Sequence, residues 1–274
     1  MHLHDRFATF LSASEIIEAT PALLNDQRRR FVSSPDIVLQ PNSVESVQKI
    51  MRFCFENRIR VTPQGGNTGL CGATVTTEGV LLNLSKLNRI RDINLADNSM
   101  TVEAGVILQN AQKAAAEAGR LFPLSLASEG SCQIGGNIAC NAGGLNVLRY
   151  GSMRDLVLGL EVVLPNGELV SHLQPLHKNT TGYDLRHLFI GSEGTLGIIT
   201  AATLKLFAQP KTKATAWVGL DDIESAVSLL TAVQGHFAER LISFELISRF
   251  ALDLSSEFSQ LKKPADAEWH ILIE

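Results

Sequence analysis

Thirteen of the chain's 21 glycines fall in three short windows. The first holds Gly65, Gly66, Gly69 and Gly72. The second holds Gly130, Gly135, Gly136, Gly143 and Gly144, and the third Gly182, Gly191, Gly194 and Gly197. Glycine admits backbone conformations closed to other residues and lets a backbone approach a neighbour without a Cβ in the way. Runs of N–H groups in such turns make concave sites for anions. Taken singly, each window reads equally well as a tight turn. Taken together, they point to one long, anionic ligand on which all three converge.

The first window, Val61-Thr-Pro-Gln-Gly-Gly-Asn-Thr-Gly-Leu70, has no acidic residue, and Asn67 and Thr68 add side-chain donors. This composition suits a pyrophosphate, with Gly66 allowing its close approach. No G-x-G-x-x-G occurs in the chain, so a Rossmann fingerprint is excluded, and no Gly-Lys-Ser/Thr follows to make a Walker loop. The second window, Ser128 to Gly144, is small or polar except at Ile134 and Ile138. It is too glycine-rich for a stable long helix and reads as backbone laid along a ligand. The third runs from Lys178 through Asn-Thr-Thr-Gly-Tyr-Asp-Leu185 to Phe189-Ile-Gly-Ser-Glu-Gly-Thr-Leu-Gly-Ile-Ile-Thr200, and feeds a strand.

The remaining chain supplies a core for such a site. Hydrophobic residues make up 45% of the 274 positions and charged residues 19%, which excludes global disorder. A net charge of −4 argues against a nucleic-acid binder, and no apolar run reaches the ~18 residues of a membrane span. Four cysteines without a Cys-x-x-Cys pair suit reduced thiols, and with no secretory signal the expected location is cytoplasmic. Residues 1–34 read as an N-terminal helical segment. The pattern Val44, Val47, Ile50, Met51, Cys54 predicts a helix capped by Asn42 or Ser43. Val106 to Ala118 reads as a helix stopped by Gly119, and Pro165-Asn-Gly167 as a hairpin turn. Pro210 to Lys213 marks a boundary, after which strands alternate with a helix from Asp222 to Val233.

Together the three windows resemble the FAD-binding domain of the vanillyl-alcohol oxidase/PCMH flavoprotein family. The resemblance runs over about residues 35 to 208. It is nearest to the D-2-hydroxyacid dehydrogenase branch, with D-2-hydroxyglutarate and D-lactate dehydrogenases and the glycolate oxidase FAD subunit. It implies an α+β fold in which two α+β subdomains hold FAD over residues 35–208. The first part of a ferredoxin-like α+β cap domain follows over 209–274. It also implies that Pro63, Gly65, Gly66, Asn67, Thr68, Gly69 and Leu70 hold the pyrophosphate. Gly130, Ser131, Gly135, Gly136, Asn141, Ala142 and Gly143 would follow the ribityl chain and flavin. Glu193, Gly197, Ile198 and Ile199 would lie near the adenosine end. With no histidine in the first window, and Cys71 read as a packed small residue, FAD is expected without a covalent link.

The function so implied is oxidation of a small D-2-hydroxy acid by hydride transfer to flavin. The electrons would pass to a separate quinone, electron-transfer flavoprotein or cytochrome, and a homodimer is the expected assembly. In this branch the cap's later half carries the carboxylate-gripping residues and a divalent-metal cluster, which are not recognisable here. No catalytic or metal-ligating residue is therefore assigned: His172, His177 and His187 have no ligand spacing, Tyr183-Asp184 reads as structural, and only His236 and His270 remain as bases in the second domain. The chain stops on the strand-like Ile271-Leu-Ile-Glu274 and is expected to continue, so these residues alone should bind FAD without turning over substrate. The alternative is a non-catalytic flavin-binding fragment or subunit. A relative of the FAD reductase of peptidoglycan synthesis ranks below both.

Overall fold

The structure is a computed structural model that describes residues 2–259 and 265–274. The chain forms two compact units. The first comprises Met1–Pro123, Ala127–Ala142 and Met153–Ala208; the second comprises Leu124–Leu126, Gly143–Ser152 and Gln209–Glu274.

The first unit opens with α1 (Leu3–Phe7), a 3-10 turn at Ala13–Glu15, β1 (Ile16–Ile17) and α2 (Pro21–Leu24). Residues 1–34 are therefore not one helical segment. The reason lies at Glu15, which is 4% exposed. Its carboxylate accepts from Ser12 N at 3.0 Å and Ser12 Oγ at 2.7 Å, closing a capping box, and from Asn42 N at 3.2 Å. That buried acceptor ties the turn down, and the two β-branched residues after it enter a sheet. Pro21 then starts the next short helix, as it can only at a helix N-terminus.

β2 (Ile37–Leu39), β3 (Val61–Gln64) and β4 (Val80–Asn83) complete a four-stranded sheet in the order β1-β2-β4-β3. β4 runs parallel to both its neighbours. Between β2 and β3 comes α3 (Val44–Glu56), with Ser43 as N-cap accepting from Ser46 N at 3.1 Å. Its Val47, Ile50, Met51 and Cys54 are buried as the helical spacing required, in one cluster with Ile37, Leu39, Val80 and Leu82. Burial pushes the Cys54 thiol up to about 12.

β5 (Ile90–Asn94) and β6 (Ser99–Glu103) lead to α4 (Leu108–Glu117) and β7 (Arg120–Leu121); α5 (Ile134–Ala139) follows. β8 (Val157–Val163) and β9 (Leu169–His172) form the hairpin expected across Pro165-Asn-Gly167. β10 (Ile198–Lys205) completes an antiparallel sheet in the order β5-β6-β10-β8-β9, and β11 (Phe207–Ala208) pairs with β7. Val163, Ile198 and Ala104 of this part share the core cluster of the first sheet. β5 has no counterpart in the sequence reading: Ile-Arg-Asp-Ile-Asn is a largely exposed edge strand with too few apolar residues to mark it.

Inside the five-stranded sheet lies a charged network. Glu103, 1% exposed, accepts from Arg89 Nη2 at 2.8 Å and Arg91 Nε at 3.3 Å. Arg91 Nη2 reaches Glu161 Oε1 at 3.0 Å. Burial opposes ionisation of Glu103, but hydrogen bonds from Arg89 and the charges of both arginines outweigh it, so its carboxyl titrates below the ordinary range.

The second unit carries an antiparallel sheet of β12 (Ala216–Leu220), β13 (Phe244–Ser248) and β14 (Trp269–Ile273), with β14 central. Helices Ile223–Phe237, capped by Asp222, and Arg249–Ser259 alternate with these strands.

Glu103→Gln should destabilise the protein at neutral pH by about 2–3 kcal/mol, below the value for a fully buried pair because Arg89 is largely exposed. A depressed carboxyl stabilises fully above its unfolded value, about 4.3, and loses that contribution as pH falls through the folded value. Urea unfolding at about pH 7 and about pH 3 should therefore show the gap between wild type and variant shrinking in acid. An equal gap at both would contradict this.

Candidate functional site

The three glycine windows meet, pair by pair. A Cβ on Gly66 would lie 2.1 Å from the Ser131 carbonyl oxygen, and one on Gly65 would lie 3.7 Å from Gly136 Cα. These contacts join the first window to the second. Gly191 N and Glu193 N donate to the carbonyls of Ile138 and Ala139 at 3.1 and 2.9 Å, joining the third to the second. A Cβ on Gly194 would meet Pro63 Cγ at 2.4 Å, joining the third to the first.

Around this junction lies a cavity of about 80 Å³. Pro63, Gly65, Gly135, Gly136, Glu193, Gly197, Ile198 and Ile199 line it, as do Ala104 and Cys140. Gly69 and Leu70 are exposed beyond it, and Thr68 is half-buried. Gly130 and Ser131 are exposed, with Asn141 and Ala142 half-buried after α5. Gly143 falls in the second unit, with Val147 against it.

The geometry bears on three roles. Gly66 is required by the protein's own packing: the Ser131 carbonyl occupies the space a Cβ would need. The Asn67 side chain is no free donor: its Nδ2 donates to the carbonyls of Ala22 and Asn25 at 3.2 and 2.7 Å, and its Oδ1 accepts from Thr74. Those bonds hold it at φ 53°, a conformation asparagine tolerates. Within the second window, Ile134–Ala139 is the short helix α5, buried at Ile134 and Ile138. By contrast, a Cβ on Gly136 would meet nothing within 4 Å, so its face is open.

A β-bulge sets the cavity wall. The ladder between β10 and β8 shifts register between Ile199 and Ala201. The displaced residue, Thr200, is fully buried and donates through Oγ1 to Glu161 Oε1 at 2.9 Å, the carboxylate that Arg91 holds. The Thr200 carbonyl accepts from Ala104 N at 2.9 Å, and the Ala104 carbonyl from Gly135 N at 2.7 Å. Bulges of this kind re-aim the residues beside them, here Ile198 and Ile199.

The other singled-out residues lie elsewhere. Asp184 pairs with Arg186 at 2.9 Å and His187 at 3.3 Å, while Tyr183 is 95% exposed. His177 Nε2 lies 2.7 Å from the Asp97 carbonyl. Among the described residues no group of three His, Cys, Asp or Glu could hold a metal. His270 is buried, its Nδ1 accepting from Trp217 Nε1 at 3.1 Å, and His236 Nδ1 lies 2.9 Å from the Ala232 carbonyl. At the cavity, desolvation raises the Cys140 thiol, with the charges of Glu193 and Cys71 adding to it.

A family model described as an FAD binding domain matches residues 35–172, half the chain. The chain belongs to the FAD-binding domain family. It is 36% identical to the D-2-hydroxyglutarate–pyruvate transhydrogenase of Saccharomyces cerevisiae, over 98% of this chain and 56% of that protein. It is 40% identical to the mitochondrial D-2-hydroxyglutarate dehydrogenase of Danio rerio, over 91% of this chain and 47% of that protein. The chain thus spans about half the length of the curated relatives it matches. Among solved structures, an alkyldihydroxyacetonephosphate synthase aligns with a TM-score of 0.79 at 17% identity, over 98% of this chain and 54% of that one. That likeness establishes a shared fold.

The cofactor of this FAD-binding domain is FAD, and the residues present fit it. The open face of Gly136 and the unobstructed Cβ position at Gly69 leave room for close backbone approach. Gln133 Oε1 is buried without a partner beside Gly65, an acceptor that the protein itself does not satisfy. At about 80 Å³ the cavity can enclose only part of a dinucleotide, since pockets that bury drug-sized ligands run to ~300–1,000 Å³. Gln133 and Ala104 escaped the sequence reading, although a long amide amid small residues was a visible signal at Gln133.

Two glycine variants should part company. Gly66→Ala forces its methyl onto a backbone carbonyl and should destabilise the apoprotein by about 1–3 kcal/mol. Gly136→Ala enters open space on a helix and should leave apoprotein stability equal or up to ~1 kcal/mol higher, while weakening FAD binding. Thermal unfolding of both apoproteins and FAD titration of Gly136→Ala check this. A Gly136→Ala protein that binds FAD like wild type would contradict it.

Proposed function

We propose that the chain is the FAD-holding part of an oxidoreductase that converts a D-2-hydroxy acid to the 2-oxo acid. The observation that carries this reading is its identity to two relatives named for D-2-hydroxyglutarate, over 98% and 91% of the chain. The meeting of the three windows supports it. In the reaction the substrate carbon loses a hydride, its hydroxyl loses a proton to a base, and a carbonyl forms. FAD, when bound, supplies the two-electron acceptor for that hydride, and the electrons then pass to a separate carrier such as a quinone, an electron-transfer flavoprotein or a cytochrome.

The chain's own part is to hold and orient the cofactor. Gly65, Gly69 and Gly136 offer backbone to it, and Ile198 and Ile199 present the wall shaped by the Thr200 bulge. The groups that grip substrate and take its proton lie, in this reading, outside these 274 residues. The second reading is a flavin-binding subunit that handles no substrate.

Protein made from the complete reading frame should carry FAD and reduce an artificial acceptor with D-2-hydroxyglutarate, D-lactate or glycolate. FAD bound with no reduction by any of the three would leave the second reading; no FAD bound would overturn both. The 274 residues alone should retain FAD without turnover. Acid precipitation should release all the flavin, whereas colour kept in the pellet would refute non-covalent binding.

A further inference from the structure

A ladder of buried polar side chains runs beneath the first glycine window. Gln64 Nε2 donates to the Leu23 carbonyl at 2.9 Å, and Gln64 Oε1 accepts from Asn83 Nδ2 at 3.1 Å. Asn83 Oδ1 accepts in turn from Gln40 Nε2 at 3.0 Å and from Ser85 N at 3.1 Å. Ser85 Oγ then accepts from Gln133 Nε2 at 3.0 Å. Gln64, Asn83 and Gln133 are 2%, 2% and 7% exposed. The carboxamide oxygens of Gln64 and Asn83 are both satisfied. The ladder ends at Gln133 Oε1, which is buried and has no partner. This oxygen lies 3.4 Å from where a Gly65 Cβ would stand, at the junction of the first two windows.

Leaving a buried acceptor unmet costs about 1–3 kcal/mol, so a donor is expected at that point. Pyrophosphate oxygens at neutral pH are acceptors and would not serve. The donors that flank a pyrophosphate in FAD are the hydroxyls of its two sugars. We propose that Gln133 Oε1 accepts a hydrogen bond from a sugar hydroxyl of the bound dinucleotide, and that the amide ladder exists to present it. This rests on the FAD reading above. Gln133 thereby fixes the cofactor's register along the first window, and the unmet acceptor makes the empty site less stable than the loaded one.

The test is Gln133→Met, which keeps the shape and removes the acceptor. The apoprotein's thermal midpoint should change little, because loss of the unmet buried acceptor offsets loss of the Nε2 bond to Ser85. FAD should bind about 5- to 50-fold more weakly. FMN and ADP, titrated as competitors of FAD, then separate the sources: a loss confined to FMN places the hydroxyl on the ribityl chain, and one confined to ADP on the ribose. Equal losses for FMN and ADP would mark a general collapse of the site, and unchanged FAD binding an oxygen met by water; either overturns the proposal. Should Gln133→Met not fold, Ser85→Ala releases the carboxamide from its anchor and should weaken FAD in the same direction by a smaller factor; equal affinity there overturns it too. Wild-type protein that binds no FAD would instead refute the reading beneath.

Discussion

Close backbone contact between three distant turns is the constraint on which the first unit depends. Gly66 lies against the Ser131 carbonyl, Gly194 against Pro63, and Gly135 against Ala104, each at a separation that any Cβ would violate. Interiors are packed as tightly as organic crystals, so such contacts cannot be relaxed piecemeal. They bring residues about 30 to 130 positions apart into one wall. What remains open after that packing, at Gly69, Gly136 and the cavity between the windows, is the surface a cofactor can use. The glycines therefore divide into those that assemble the site and those that face it.

The wall has electrostatic support behind it. Glu103 and Glu161 are buried carboxylates; Arg89 and Arg91 pair with the first, and Arg91 also reaches the second. Glu161 also takes the Thr200 hydroxyl, which holds the bulge beside Ile198 and Ile199, two residues of the cavity wall. A buried ion pair seldom adds much stability over well-packed apolar residues. Its effect here is geometric, because it ties β6 and β8 together across β10, the strand that begins in the third window. The polar ladder from Gln64 to Gln133 does the same beneath the first window.

Much of this was legible in the residues. Glycine clustering located all three windows, and the spacing Val47, Ile50, Met51, Cys54 located both α3 and its buried face. The hairpin at Pro165-Asn-Gly167 followed from turn chemistry. What escaped shares one physical cause: its meaning is set by tertiary neighbours. The N-terminal stretch looked helical until Glu15 found Ser12 and Asn42. Asn67 looked like a ligand donor until its amide proved committed to two backbone carbonyls. Gly66 was read against a ligand, and the assembled fold adds the Ser131 carbonyl as a neighbour that already needs it to be glycine. Ala104 and Thr200 carry no local pattern, and Gln133 shows only a long amide amid small residues, because a bulge and an unmet acceptor exist only once the sheets are assembled.

The central claim is that all three windows clasp one FAD molecule. Amide hydrogen exchange, compared between apoprotein and FAD-loaded protein, tests it most directly. The account expects FAD to slow exchange together in residues 63–70, 130–142 and 193–199, with the network around Glu103 little changed. Protection confined to a single window, or absent from all three while FAD is bound, would contradict it.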